Sequence, residues 1–70
     1  MNMVPVESSN LKAVGYDKVA KTLAIEFHHG GVYEYYDVPE PAYKRLLEAE
    51  SKGKYLHAYV KGVYAFEKIR

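Results

Sequence analysis

Val32–Pro39 reads V-Y-E-Y-Y-D-V-P, and the chain changes character on either side of it. Ahead of it lie short alternating runs; directly behind it a helical pattern begins. Tyr33 and Tyr35 share one face with Asp37, while Val32, Glu34, Tyr36 and Val38 share the other, the period-two arrangement of a strand. Pro39 ends that strand because it has no N–H to give to the ladder. Upstream, His28-His29-Gly30-Gly31 supplies a hairpin turn, since paired glycines accept the positive φ that a tight reversal needs. Thr22–Phe27 is the cleanest strand: Leu23, Ile25 and Phe27 point one way, and Thr22, Ala24 and Glu26 the other. Leu11–Tyr16 reads as a further strand, with Gly15 marking a bulge or a close backbone approach. Asp17–Lys21 has hairpin length, and the Asp17 side chain is suited to bond forward to backbone amides. Residues 1–6 form a lead-in expected to be loosely ordered.

Downstream, Glu40 and Pro41 suit a first helical turn, where proline is tolerated and an acid complements the helix dipole. Ala42, Tyr43, Leu46, Leu47 and Ala49 then make an apolar stripe that predicts a helix over Pro41–Glu50. Ser51-Lys52-Gly53 ends it, with Gly53 expected in the left-handed cap position. Tyr55, Leu56, Tyr59 and Val60 form one face of a second helix over Lys54–Lys61, which Gly62 stops. Val63–Ile69 alternates weakly and reads as a short edge strand or an extended tail. The expected architecture is a single α+β domain over residues 1–70. It has a three-stranded antiparallel meander followed by two short helices packed on one face, with a fourth short strand at the C-terminus left open.

A chain of 70 residues without cysteine has no disulfide or thiolate-metal staple. Eight tyrosines and two phenylalanines must therefore supply much of its core; each large aromatic buries roughly 150–250 Å². Met1–Asn10 lacks the basic start and apolar run of a secretory leader. No apolar stretch reaches the roughly 18 residues of a membrane span. A cytoplasmic protein with no membrane partner is expected. The net charge of +1 hides an asymmetry: residues 1–39 sum to −2 and residues 40–70 to +3. Such a split marks either an anion-binding face or an ordinary solvated helix surface.

One ordered set of motifs carries a resemblance. Ser8-Ser9 is followed by G-Y-D (Gly15–Asp17), L-A-I-E-F (Leu23–Phe27) and G-x-Y-x-Y-x-x-V-P (Gly31 to Pro39). Then come A-x-S-x-G-x-Y (Ala49 to Tyr55) and V-K-x-x-Y (Val60 to Tyr64). This array, from about Val6 to Ile69, resembles the KTSC domain, a small bacterial and phage-associated module named for the C-terminus of some lysyl-tRNA synthetases. The family's Y-x-Y falls on Tyr33 and Tyr35. The resemblance implies an RNA-binding role through the synthetase context, and it carries over no catalytic residue and no cofactor.

The residues themselves offer four chemistries. Tyr33, Tyr35 and Tyr36 beside Lys52 and Lys54 fit an aromatic platform for single-stranded nucleic acid. Equally, Tyr33 and Tyr35 fit a core between sheet and helices, which leaves Tyr36 as the exposed ring. Ser51-Lys52-Gly53-Lys54 fits either a phosphate cradle at a helix start or a helix junction capped by Ser51. His28 and His29, adjacent on an extended chain, point apart and make a poor metal pair without His57 or an acid to converge with them. A triad of Ser8 or Ser9 with a histidine and Asp17 has no support in spacing, and Glu48 and Glu50 lie on different helix faces.

Binding is thus expected over catalysis, with no cofactor and no metal. The leading expectation is a small non-enzymatic module for RNA or another polyanion, using Tyr36, Lys44, Arg45, Lys52, Lys54 and Lys61. A protein-interaction module working through a sheet edge or aromatic face stands second, and a small nuclease third.

Overall fold

Strands form here where alternation coincides with β-branched and aromatic side chains, and helices where the apolar spacing widens to three and four. The computed structural model describes residues 1–70. One antiparallel sheet runs in the order β1-β2-β3-β4-β5: Val4–Pro5 (β1), Leu11–Asp17 (β2), Thr22–Phe27 (β3), Val32–Tyr35 (β4) and Phe66–Lys68 (β5). Two helices, Glu40–Glu48 (α1) and Lys52–Tyr59 (α2), occupy the connection from β4 to β5. The meander is therefore continuous in space but interrupted in sequence.

Register sets the core. Leu23 pairs with Tyr16 and Tyr35, Ile25 with Val14 and Tyr33, and Phe27 with Leu11, so all of these share one face. The helices lie on that face. Leu11, Val14, Leu23 and Ile25 from the sheet are fully enclosed with Val38, Leu46, Leu56 and Val60. Enclosing each such side chain contributes roughly 1.5–3 kcal/mol. Tyr16 clamps the start of the helical segment: its ring stacks on Tyr43 at 5.0 Å, and its hydroxyl donates to the Val38 carbonyl. Burial, with Glu40, Asp17 and Tyr64 nearby, raises the pKa of that hydroxyl.

Several boundaries differ from expectation for identifiable reasons. The C-terminal segment is a strand, because Tyr35 and Glu34 pair with Phe66 and Glu67. The lead-in also contributes a two-residue edge strand, with Val4 opposite Val14. Gly15 is the close approach and not the bulge. A Cβ there would lie 2.8 Å from both the Asn2 carbonyl oxygen and Met3 Sδ, and the irregularity falls between Leu11 and Ala13.

β4 stops at Tyr35, short of Val38, because Asp37 adopts φ 58. That left-handed residue breaks the alternation. Val38, expected beside Tyr36, turns instead into the core and is fully buried. Gly53 lies inside α2 and caps nothing; α1 ends at Glu48 with Ala49 extended, and Ser51 caps α2 by accepting the Lys54 N–H at 3.2 Å. A Cβ at Gly53 would meet Asn10 Nδ2, the far end of an exposed side chain, at 2.8 Å. Tyr59, expected on the apolar face of the second helix, is exposed and packs on Tyr55 at 4.9 Å.

Candidate functional site

The two faces of the sheet differ in chemistry. On the helix-covered face the aromatic side chains run past the end of the helices and line an open cleft. Phe27 from β3, Tyr33 and Tyr35 from β4 and Phe66 from β5 form its floor, and His29 closes one end. Lys61 and Gly62, in the turn after α2, form the opposite wall. That turn is closed by the Val63 N–H to the Val60 carbonyl at 3.1 Å. Its third residue, Gly62, has φ 80°, a left-handed conformation that glycine adopts without strain. The cleft encloses about 270 Å³.

The rings of the floor touch edge and face. Phe27 meets Tyr33 at 5.6 Å in a T-shaped contact, and Phe66 tilts over Tyr33 and Tyr35 at 6.0 and 5.7 Å. Tyr35 is buried, and burial together with the neighbouring Tyr33 raises its hydroxyl pKa. Tyr33 is half-buried and Phe66 is 58% exposed, so the floor grades from core to open surface. His29 stacks on Phe27 at 5.3 Å, and the Lys61 ammonium sits 5.4 Å from the Phe27 ring centroid. A cation at that distance is held by the ring quadrupole.

Lys61 also belongs to a second, shallower concavity of about 620 Å³, which it shares with Ser9, Ser51, Gly53, Lys54 and His57. A third small depression, lined by Asn10, Leu11, Phe27, His29, Gly53 and Lys61, joins the two. One groove therefore runs from an aromatic end at Phe66 to a basic end at Lys54, with Lys61 in both parts.

The other face is acidic. Glu34 and Glu67 are directly opposed in the β4–β5 register, and the Tyr36 hydroxyl lies 3.2 Å from a carboxylate oxygen of each, its one proton shared between them. Its burial and these two hydrogen bonds, reinforced by both negative charges, push the Tyr36 hydroxyl pKa up to about 12. Ala13, Gly15 and Ala24 complete this face, crossed by the Met1–Met3 segment.

The structure thus brings Lys54 and Lys61 together and sets Tyr36 apart from them, among carboxylates. Lys52 folds back onto the end of α1, its ammonium donating to the Ala49 carbonyl at 3.4 Å. Lys44 and Arg45 are exposed on α1 and line no part of the groove.

The residues drawn on paper for catalysis are engaged elsewhere. Ser8 Oγ accepts the Asn10 and Leu11 amides, Asp17 accepts those of Val19 and Ala20, and His28 Nε2 meets the Ser8 carbonyl oxygen at 2.9 Å. His28 and His29 diverge, and no three His, Asp or Glu side chains converge as metal ligands.

Phe27, His29 and Phe66 did not stand out as site residues in the sequence. The signal for Phe27 was present in the Leu23-Ile25-Phe27 alternation, which the glycine turn places on the same face as Tyr33. Phe66 gave no such signal, because its place beside Tyr35 depends on the return of the chain after both helices.

Comparison with known proteins agrees with this fold. The KTSC domain profile matches residues 7–64. A lysine–tRNA ligase from Nostoc is 40% identical over 63 residues, 90% of this chain but 11% of the ligase, so the chain spans about a tenth of that relative. A protein of Tsukamurella paurometabola is 46% identical over 59 residues, covering 84% of this chain and 88% of its own. The crystal structure of a KTSC domain protein from Yersinia pestis superposes with a TM-score of 0.95 at 36% identity, covering 99% of this chain and 97% of the other. No helix is long and apolar enough to cross a membrane.

Proposed function

This chain belongs to the KTSC domain family, and on that footing we propose that it is a small, non-enzymatic binding module for RNA, working in the cytoplasm. The observation that carries the reading is the groove in which Lys54, His57 and Lys61 face one concavity beside the capped start of α2. Ammonium groups clustered in a concave, partly polar surface suit a phosphate backbone better than a neutral ligand. Kinship supports the choice of RNA: the same module occurs as about a tenth of lysine–tRNA ligases, proteins named for a tRNA substrate, and also as nearly the whole of small proteins. Lys44, Arg45 and Lys52 would contribute to the surrounding field, and Tyr36, among Glu34 and Glu67, would not meet phosphate.

The test is a titration of the protein with single-stranded and structured RNA across a salt series. Binding should weaken steeply with salt. Neutralising Lys54 and Lys61 together (Lys54→Gln, Lys61→Gln) should lower the log–log slope by roughly 0.7 per lysine lost. No binding of either RNA at low salt overturns the reading. In that case the outer edge of β5, whose three residues are all exposed, becomes the surface to test against protein partners.

A further inference from the structure

The cleft beside the basic concavity has a composition that a phosphate-binding surface does not require. Three aromatic rings from three different strands, Phe27, Tyr33 and Phe66, converge on a space of about 270 Å³. Phe66 is not needed to close the core: it is 58% exposed, whereas Tyr35, on which it rests, is 3% exposed. One side of its ring rests on Tyr35 and Tyr33 and the other is open. The facing wall ends in Gly62, which carries no side chain to fill the gap.

Resting on the reading of this module as an RNA binder, we propose that the cleft receives one unstacked base of single-stranded RNA against Phe66 and Tyr33. Lys61 meets the adjoining phosphate and leads the backbone into the Lys54 concavity.

Size and charge select this occupant. The space falls just below the roughly 300–1,000 Å³ of typical ligand pockets. It suits a single planar ring system and is too small for a folded segment. Every base has a π face, so stacking on aromatic rings tolerates any sequence, but it requires the base to be out of a duplex. Lys61 supplies charge complementarity at the junction, because it lines both the cleft and the basic concavity. A base in the cleft therefore has its sugar and phosphate on the lysine side. The outcome is selection of single-stranded over double-stranded RNA by shape, with phosphate contacts providing most of the affinity.

The experiment compares a short oligouridine with an abasic oligomer of the same backbone length, by fluorescence anisotropy, on wild-type protein and on Phe66→Ala, Phe66→Tyr and Tyr33→Leu. Wild type should prefer the oligouridine by roughly 5- to 150-fold, the range that stacking of one base corresponds to. Phe66→Ala should lose most of that preference while keeping its affinity for the abasic oligomer and its salt slope; Phe66→Tyr should retain the preference. Tyr33→Leu, on β4, should act like Phe66→Ala, and the unchanged affinity of both variants for the abasic oligomer guards against a substitution that merely loosens β5. Equal wild-type affinity for the two oligomers, with steep salt dependence, overturns the base pocket and leaves the RNA-binding reading standing. A loss in Phe66→Ala that is equal on both oligomers also overturns it. No binding of either oligomer at low salt overturns both.

Discussion

Tyr35 and Tyr36 are neighbours in sequence whose side chains work on opposite sides of one sheet, and their contrast is the contrast between its faces. Tyr35 packs in the core among Leu23, Ile25 and the helices, and burial is the main cause of its raised pKa. Tyr36 holds two opposed glutamates together through its hydroxyl on the other face. One ring enters the core by packing, and the other stays at the surface bound by polar contacts. The helix-covered face therefore carries stability and, at its open end, the aromatic and basic groove. The acidic face carries a short cross-strand network and the N-terminal segment. Like charges directly opposed across a pair of strands are unfavourable unless something bridges them, and the Tyr36 hydroxyl is that bridge.

The division of labour between the faces can be broken first by urea unfolding of variants on adjoining strands. Ile25→Ala, which empties a fully buried position on the covered face, should lower stability by about 2–5 kcal/mol. That is a large share of what a domain of this size has. Glu34→Ala, on the acidic face, should change it by no more than about 0.5 kcal/mol. Comparable losses from the two would contradict the division.

A smaller effect sharpens the role of the N-terminal segment. Gly15→Ala should cost about 1–3 kcal/mol, because the new methyl meets the Asn2 carbonyl and Met3 Sδ at 2.8 Å. Deleting Asn2 and Met3 in that background should recover most of the loss; no recovery would place the strain elsewhere.

The smallest effect is confined to alkaline solution. The Tyr36 hydroxyl is raised from the ordinary tyrosine value of 10 to about 12 in the folded chain. Between those values the unfolded chain has lost a proton that the folded chain still holds, so the contribution present below pH 10 falls away as the pH rises toward 12. Tyr36→Phe should flatten part of that decline, with Tyr35 and Tyr16, shifted in the same direction, accounting for the rest. Following tyrosinate absorbance through an alkaline titration should show one late-titrating group missing in Tyr36→Phe. Loss instead of a group that titrates near the ordinary value of 10 would mean that the hydroxyl does not bridge the glutamates.

Much of this architecture was legible one element at a time. Thr22–Phe27 emerges with its bounds as read, because strict alternation over six residues allows a single assignment. The glycine pair after it takes φ values of 101° and 90°, as a tight reversal demands. Gly15 read as a bulge or a close approach, and the structure makes it a close approach whose partner is the N-terminal segment. Elsewhere local pattern pointed the wrong way. Val38 continues the alternation of Tyr36 in sequence, but Asp37 takes a left-handed conformation and sends Val38 inward. Gly53, placed between two helical patterns, looked like a cap; Ser51 caps α2, and Gly53 lies within that helix beside Asn10. Tyr36 looked like the exposed stacking ring; Glu34 already shared its face, but the pairing of Glu34 with Glu67 could not be inferred from its neighbours.

Local sequence alone determined the strands β2 and β3, the glycine hairpin, the passage from strand to helix at Pro39, and the family. Each of these rests on periodicity, turn chemistry or an ordered set of motifs, all of which act over a few residues. Only the tertiary structure decided that Phe66 returns beside Tyr35, that Lys61 stands over Phe27, and that Tyr36 faces carboxylates instead of lysines. Those pairings join segments separated by both helices, and their partners are chosen by how the helices pack on the sheet, which no short window of residues encodes.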